Sequence, residues 1–177
     1  MRKAVFLDRD GVINRSEVRG GKPYAPTRAE DFELLPGAAD AMVALRAAGW
    51  LVIVVTNQPD LATGKQSRTG IDAMHQPLRD AGMVDDIKVC PHVDADHCAC
   101  RKPRPGMLLD AAREWGIDLN ASIMVGDRWR DFEAGQAAGC RTIFVDQCYA
   151  EKQPERPDSV VMSLAQAKEL IARWTVS

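Results

Sequence analysis

The chain has 177 residues, of which 46% are hydrophobic and 27% are charged, and its formal net charge at pH 7 is −2. This length suffices for one hydrophobic core, so we expect residues 1–177 to form a single domain. The charge balance argues against a nucleic acid partner, and the apolar segments are too short for a signal peptide or a membrane span. We therefore expect a cytoplasmic protein that binds small molecules and needs neither nucleic acid nor membrane.

Short apolar segments alternate with helical patterns along the chain. Strands are predicted at residues 4–7, 51–55, 87–89, 123–125, 142–145 and 160–161. Helices are predicted to begin near residues 37, 67, 106, 130 and 163, with Pro77 expected to kink or shorten the second. This β–α alternation predicts an α/β fold, with a doubly wound and mainly parallel sheet that has helices on both faces. Segments 15–35 and 149–158 are predicted as surface loops.

Polar residues follow four of the predicted strands. In chain order they are Asp8 and Asp10, Thr56 and Asn57, Arg101 and Lys102, and Asp127 and Asp131. In a parallel sheet these strand ends meet at one edge, where open α/β folds bind ligands. Phosphoryl transfer needs a nucleophile, an acid/base, a divalent cation and donors to the phosphoryl oxygens, and this set contains a candidate for each. Asp131 also fits an ordinary acid in the first turn of a helix.

Three cysteines and a histidine lie close together in the sequence. They are Cys90, His92, Cys98 and Cys100. Three thiolates and one imidazole are typical of a closed, tetrahedral structural zinc site, which leaves no position for a catalytic water. We expect zinc to hold the loop 90–100 that leads into Arg101; the alternative is a group of buried free thiols beside a surface histidine. His97 is a spare candidate ligand, but its position beside Cys98 favours a loop residue, and Cys140 and Cys148 are interpreted as ordinary core or near-surface residues.

The ordered motifs resemble those of the haloacid dehalogenase superfamily of phosphatases, and the resemblance implies a Rossmann-like fold. The matching residues are Asp8-Arg9-Asp10, Thr56, Lys102 and the run Gly126-Asp127-Arg128-Trp129-Arg130-Asp131. The resemblance implies that Asp8 forms an aspartyl-phosphate and that Asp10 is the general acid/base. It also implies Mg²⁺ held by Asp8, the Asp10 backbone carbonyl and Asp127. Thr56 and Lys102 would contact the phosphoryl group, and Asn57 and Gln58 would contact the substrate.

Within that superfamily, the cysteine pattern followed by Arg101-Lys102-Pro103 resembles a group without a cap domain. This group contains the D-glycero-D-manno-heptose 1,7-bisphosphate 7-phosphatases and the histidinol-phosphate phosphatases. The resemblance implies a Mg²⁺-dependent phosphatase with structural Zn²⁺, and we expect a monomer that removes the 7-phosphate from the heptose bisphosphate, with Arg101 binding part of that bisphosphate. Pro59 and Asp60 replace the expected Ser-Gly, and the short zinc loop is closer to the histidinol branch.

Several alternatives remain at this stage. The same reaction fits histidinol phosphate or another small sugar phosphate as substrate. A polynucleotide 3′-phosphatase fits less well, because the chain is acidic overall. A different class of protein, a non-catalytic binding module stabilised by zinc, would retain the cysteine cluster without needing the strand-end acids.

Overall fold

The computed structural model describes residues 1–174, which form a six-stranded sheet with helices on both faces and a small separate hairpin. The strands are β1 (Ala4–Leu7), β2 (Glu17–Arg19), β3 (Lys22–Tyr24), β4 (Leu51–Asn57), β5 (Asp86–Cys90), β6 (Ile123–Gly126), β7 (Arg141–Val145) and β8 (Ser159–Val161). The helices are α1 (Ala38–Ala47), α2 (Arg68–Asp80), α3 (Gly106–Trp115), α4 (Trp129–Ala138) and α5 (Leu164–Trp174). These elements confirm the predicted α/β fold.

The main sheet has the strand order β5-β4-β1-β6-β7-β8, and all its neighbouring strands are parallel. Strand β1 lies between β4 and β6, and all four of its residues are buried. Alternate residues of β1 face different apolar clusters, because side chains alternate along a strand. Val5 and Leu7 pack with α1 and α5, whereas Ala4 and Phe6 pack with α3 and α4. The sheet therefore holds the carboxyl end of β1 at the centre of the molecule.

Two sequence predictions about local structure are wrong. The segment 15–35 contains the hairpin β2–β3, whose exposed strands lack the apolar alternation that reveals a buried hairpin. Pro77 does not shorten α2, which continues to Asp80. The buried face of α2, formed by Ile71, Met74 and Leu78, outweighs the loss of one backbone hydrogen bond at the proline. No helix within residues 1–174 has the length and apolar character needed to cross a membrane.

Candidate active site

The parallel sheet brings the predicted strand ends to one edge, as expected. Asp8 directly follows β1, Thr56 and Asn57 end β4, and Asp127 directly follows β6. Lys102 arrives from the loop after β5 and is buried. A cavity of about 240 Å³ opens at this edge. Its lining includes Asp8, Asp10, Asn57, Gln58, Lys102 and Asp131.

Asp8, Asp131 and Lys102 line the floor of the cavity, and the buried Asp127 lies next to them; we call these four residues the acidic centre. The three carboxylates can place one oxygen each within 4.8 Å of the others, and their exposed fractions are 8%, 1% and 3%. The Lys102 Nζ lies 2.7 Å from Asp8 Oδ1 and 2.6 Å from Asp131 Oδ1. It also donates to the Val55 carbonyl at 2.7 Å. One ammonium group therefore faces three buried acids, which leaves an excess of negative charge.

This charge excess perturbs the protonation of the acids. Burial, with a further contribution from the neighbouring Asp131 charge, raises the pKa of Asp8 from 3.8 to about 6. Burial and the Asp8 charge raise the pKa of Asp127 well above its usual range. Burial lowers the pKa of Lys102, but the Asp131 and Asp8 charges outweigh that effect, and the net change is upward. The centre is thus poised to accept additional positive charge.

Asp127 is the residue that most clearly lacks a partner. Both of its carboxylate oxygens are buried and neither accepts a hydrogen bond of normal geometry within residues 1–174, although the Tyr149 hydroxyl approaches closely enough to lower the pKa of Asp127 against the larger effect of burial. The turn after β1 approaches it closely: a Cβ added at Gly11 would lie 1.9 Å from Asp127 Oδ2, and Gly11 has φ of +91°. Mg²⁺ prefers oxygen ligands, so buried carboxylate oxygens that accept no hydrogen bond are suited to hold such a divalent cation. Asp8 and Asp127 are the residues best placed to hold it.

Asp10 is held at the cavity wall by three side chains. Its carboxylate accepts from the Arg9 Nη2 at 2.9 Å and from the Asn14 Nδ2 at 2.9 Å. Gln58 Nε2 donates to it at 2.8 Å. Arg9 is fully buried, and its Nη1 meets His75 Nε2 at 3.1 Å. These hydrogen bonds fix the orientation of the Asp10 carboxylate, and Asp10 also lines the cavity.

Asn57 and Gln58 hold other residues of the site. The Asn57 side chain donates to the Lys102 carbonyl and accepts from the Lys102 N–H, both at 3.1 Å. Gln58 donates to Thr56 Oγ1 at 2.9 Å as well as to Asp10. Both also line the cavity. Their geometry indicates a positioning role beside any contact with a ligand.

Arg101, which we expect to bind part of the substrate, lines a second depression together with Pro103 and Arg104. Its Nε donates to Asp94 Oδ1 at 2.8 Å, and its Nη1 donates to the His92 carbonyl at 3.1 Å. Lys102, the next residue, points instead into the acidic centre. Arg101 therefore ties the zinc loop to the start of the following segment.

The outer wall of the cavity, which we call the rim, includes Tyr24, Asp60, Arg128 and Arg130, and sequence reasoning singled out neither of the two arginines. Arg128 and Arg130 lie inside the Gly126–Asp131 motif, so the motif itself could have indicated them. Asp131, interpreted as a helix-terminal acid, does accept from the Arg128 N–H at 3.0 Å. Its other oxygen contacts Lys102, which makes it part of the acidic centre.

The cysteine cluster is assembled as its spacing predicts. Cys90 Sγ lies 3.2 Å from Cys100 Sγ and 3.7 Å from Cys98 Sγ, and His92 Nδ1 lies 3.4 Å from Cys100 Sγ. A tetrahedral zinc ion with Zn–S bonds of about 2.3 Å places its sulfur ligands roughly 3.7 Å apart. The four side chains therefore fit one such ion. Cys140 and Cys148 lie outside this group as free thiols.

Comparisons with known proteins agree with this geometry. A family model described as HAD-hydrolase-like matches residues 99–167. The D-glycero-β-D-manno-heptose-1,7-bisphosphate 7-phosphatase of Rhodopseudomonas palustris is 41% identical over 150 residues, covering 78% of this chain and 80% of that protein. The corresponding α-heptose enzyme of Mycobacterium tuberculosis is 40% identical over 150 residues, covering 78% of this chain and 77% of that protein.

A solved structure resembles the whole chain. The D,D-heptose 1,7-bisphosphate phosphatase of B. bronchiseptica, complexed with magnesium and phosphate, aligns with a TM-score of 0.85 and 34% identity. The alignment covers 97% of this chain and 99% of that structure. These similarities confirm the predicted superfamily and the predicted class of enzyme, a phosphatase. The chain belongs to the heptose 1,7-bisphosphate phosphatase family of the haloacid dehalogenase superfamily.

Proposed function

We propose that this enzyme removes the 7-phosphate from a D-glycero-D-manno-heptose 1,7-bisphosphate in a Mg²⁺-dependent reaction. The observation that carries the proposal is the buried set of Asp8, Lys102 and Asp127 at the base of the cavity. The substrate assignment draws on the names of the relatives, which act on the α or the β form of this heptose bisphosphate. The anomer is left open, because relatives of both kinds are about equally similar to this chain.

In the proposed reaction Asp8 is the nucleophile. One of its carboxylate oxygens attacks phosphorus, and the bond between phosphorus and the sugar oxygen breaks. Asp10 gives its proton to the leaving alcohol. Asp10 then takes a proton from a water molecule, whose oxygen attacks the aspartyl-phosphate and releases inorganic phosphate and free Asp8. Lys102, which is 2.7 Å from Asp8, stabilises the negative charge of the phosphoryl oxygens.

Asp8, the Asp10 backbone carbonyl and Asp127 would hold the magnesium ion in this proposal. The bound ion would offset the repulsion between the carboxylate nucleophile and the phosphate. Thr56 would donate its hydroxyl proton to a phosphoryl oxygen, since its Oγ1 already accepts from Gln58. Asp131 Oδ1, 2.6 Å from the Lys102 Nζ, holds the ammonium group in place beside Asp8.

We further propose that the cysteine cluster binds structural zinc and that the chain acts as one domain in the cytoplasm. Cys100 lies two residues before Lys102, so an ion at the cluster would hold the backbone that delivers the lysine. All five cysteines are free, which suits a reducing compartment.

The test is a phosphate-release assay with both anomers of the heptose 1,7-bisphosphate and with histidinol phosphate. We expect kcat/KM for the bisphosphate to be at least about a hundred-fold higher than kcat/KM for histidinol phosphate. One equivalent of phosphate should be released from each bisphosphate. Asp8→Asn serves as the inactive control. A higher kcat/KM for histidinol phosphate would reject the heptose assignment while leaving the phosphatase class intact.

A further inference from the structure

We propose that His75 is a positioning residue for the reaction, which orients Asp10 through the side chain of Arg9. This inference rests on the proposed function, in which Asp10 is the general acid/base. His75 is fully buried on α2 and is not among the residues that line the cavity. It therefore acts on the reacting atoms only through Arg9.

Arg9 holds the Asp10 carboxylate by both of its oxygens. The Arg9 Nη2 lies 2.9 Å from Asp10 Oδ1 and 3.1 Å from Oδ2, and the Arg9 Nε lies 3.1 Å from Oδ1. A planar guanidinium that contacts both oxygens fixes the plane of the carboxylate as well as its position. Arg9 is fully buried, so bulk water does not compete for these donors. The orientation of Asp10 thus depends on the orientation of the Arg9 guanidinium.

The opposite edge of this guanidinium is held by α2. The Arg9 Nη1 lies 3.1 Å from His75 Nε2 and 3.8 Å from Met74 Sδ. A thioether sulfur is a weak acceptor, so the imidazole nitrogen is the stronger of these two partners. The Phe32 ring, whose centroid lies 5.6 Å from Arg9 Cζ, adds a contact to the face of the guanidinium. Without His75, a buried donor of Arg9 loses this acceptor, and the guanidinium is free to tilt relative to Asp10.

The protonation of the His75 ring indicates that the contact with Arg9 is specific. Because a guanidinium only donates, Nε2 must accept and Nδ1 must carry the proton of the neutral ring. Nδ1 is buried and has no hydrogen-bond partner within residues 1–174. An unpartnered buried N–H destabilises a fold, whereas the apolar neighbours Ile71 and Leu78 on the same helix face carry no such group. A histidine at this position therefore favours a role toward Arg9 over a role in packing alone.

A tilted Asp10 should slow one kind of substrate more than another. A sugar alcohol leaves phosphorus only if it receives a proton, so the first step of the proposed reaction needs Asp10. The p-nitrophenolate ion leaves without a proton, so p-nitrophenyl phosphate forms the aspartyl-phosphate without that transfer. Since kcat/KM reports the reaction up to its first irreversible step, only the value for the sugar ester should fall. A general loss of folded enzyme would lower both values by the same factor.

The experiment measures kcat/KM for the heptose 1,7-bisphosphate and for p-nitrophenyl phosphate. The variants are His75→Asn, His75→Gln, Asp10→Asn and Leu78→Ala. Asparagine is too short to place an acceptor where Nε2 lies, whereas the glutamine oxygen reaches that position and can accept from Arg9. Leu78 is 1% exposed on the same face of α2, so Leu78→Ala is the matched control for loss of packing in this helix.

We expect His75→Asn to lower kcat/KM for the heptose bisphosphate about ten-fold and kcat/KM for p-nitrophenyl phosphate less than about three-fold. His75→Gln should stay within about three-fold of wild type on both substrates. Leu78→Ala should lower the thermal midpoint and leave the ratio of the two kcat/KM values unchanged. The inference is overturned if His75→Asn loses no activity, if it loses activity equally on both substrates, or if glutamine does not restore it.

The Asp10→Asn variant separates this inference from the proposed function. It should lower kcat/KM for the heptose bisphosphate at least about a hundred-fold. If Asp10→Asn shows this loss and His75→Asn does not, the role of His75 is wrong and the proposed function stands. If Asp10→Asn keeps the wild-type value, the proposed role of Asp10 fails and the inference fails with it.

A measurement on the wild-type enzyme decides the matter even if His75→Asn does not fold. Nitrogen NMR at pH 7 distinguishes a protonated imidazole nitrogen from a bare one. We expect a neutral His75 ring with the proton on Nδ1 and none on Nε2. A proton on Nε2 would overturn the inference, because His75 could not then accept a hydrogen bond from Arg9.

Discussion

The floor and the rim of one cavity are built in opposite ways. On and next to the floor, Asp8, Asp127 and Lys102 are each at least nine-tenths buried and lie at or near the ends of parallel strands. On the rim, Arg128 is 38% exposed and depends on Glu151 from a loop for its direction. The floor is thus fixed by the main sheet, whereas the rim is assembled from a helix start, a loop and a hairpin.

This difference separates two properties of the enzyme. The groups proposed to break the phosphate ester are positioned by strand register, which tolerates little variation because the core is packed on both faces of the sheet. The rim groups lie on segments that can change without disturbing that core. We therefore expect floor variants to lower activity on every substrate and rim variants to change the preference among substrates.

The largest effect should come from the nucleophile itself. Asp8→Asn removes the attacking oxygen, and we expect kcat to fall at least about 10⁴-fold on any phosphate ester. The fold should persist, because the change relieves repulsion among buried acids rather than creating a cavity. Phosphate release and the thermal midpoint, measured on one preparation, check both parts. Retention of more than about a tenth of the activity would contradict the role of Asp8 and the description of the floor.

A second prediction concerns Lys102 as the only cation described within the acidic centre. In magnesium-free buffer at pH 7, Lys102→Met should lower the free energy of unfolding by about 3 kcal/mol, because it leaves buried carboxylates unpaired. Lys88→Met is the control: Lys88 pairs with Asp86 and Glu114 near the surface and should cost less than about 1 kcal/mol. Urea unfolding of both variants gives the comparison, and equal losses would show that burial of the Lys102 pair is unimportant.

A third prediction sharpens the proposed link between the cysteine cluster and the floor. Cys100→Ser should lower bound zinc, destabilise the fold by several kcal/mol and reduce activity about ten-fold or more, because Lys102 follows two residues later. Cys148→Ser, at an exposed free thiol, should change neither zinc content nor activity. Zinc analysis, thermal unfolding and phosphate release on both variants provide the test. Full zinc content in Cys100→Ser would remove Cys100 from the ligand set.

The fourth prediction, which has the smallest expected effect on the enzyme, concerns the pH dependence of stability at His75. This residue contacts Arg9, which in turn holds Asp10. A guanidinium has no acceptor, so His75 Nε2 must accept from Arg9 and the ring must be neutral. Burial, and then the Arg9 charge, lower the pKa of His75 from 6.5 to about 4. The unfolded chain thus binds more protons between these values, and stability falls as pH drops from about 6.5 toward 4.

The His75 contribution to that loss is at most about 1.4 kcal/mol per pH unit. We expect His75→Gln, which keeps an acceptor for Arg9, to flatten the dependence of unfolding free energy on pH over this interval. Urea unfolding at pH 4.5, 5.5 and 7 measures the slope for the two proteins. Identical slopes would mean that His75 does not titrate in this way.

The sequence predicted the floor much better than the rim, for physical reasons. Asp8 and Asp127 follow apolar runs that can only be buried strands, so their convergence follows from parallel pairing. Tyr24 lies in short, exposed strands without an apolar pattern, and Glu151 lies in a polar segment predicted as a loop. Arg101 and Arg128 are both cations beside a motif, but Arg128 lines the main cavity and Arg101 lines a separate depression, and the spacing of the motifs does not contain this difference.

The division between floor and rim can be tested with one pair of variants that both retain measurable activity. Asp131→Asn changes the floor through Lys102, and Arg128→Ala removes positive charge from the rim. The measurement is the ratio of kcat/KM for the heptose bisphosphate to that for the 7-monophosphate. We expect Asp131→Asn to lower both rates by the same factor and leave the ratio within about two-fold of wild type, while Arg128→Ala lowers the ratio about ten-fold. An equal change of the ratio in both variants would contradict the separation of catalysis from substrate selection.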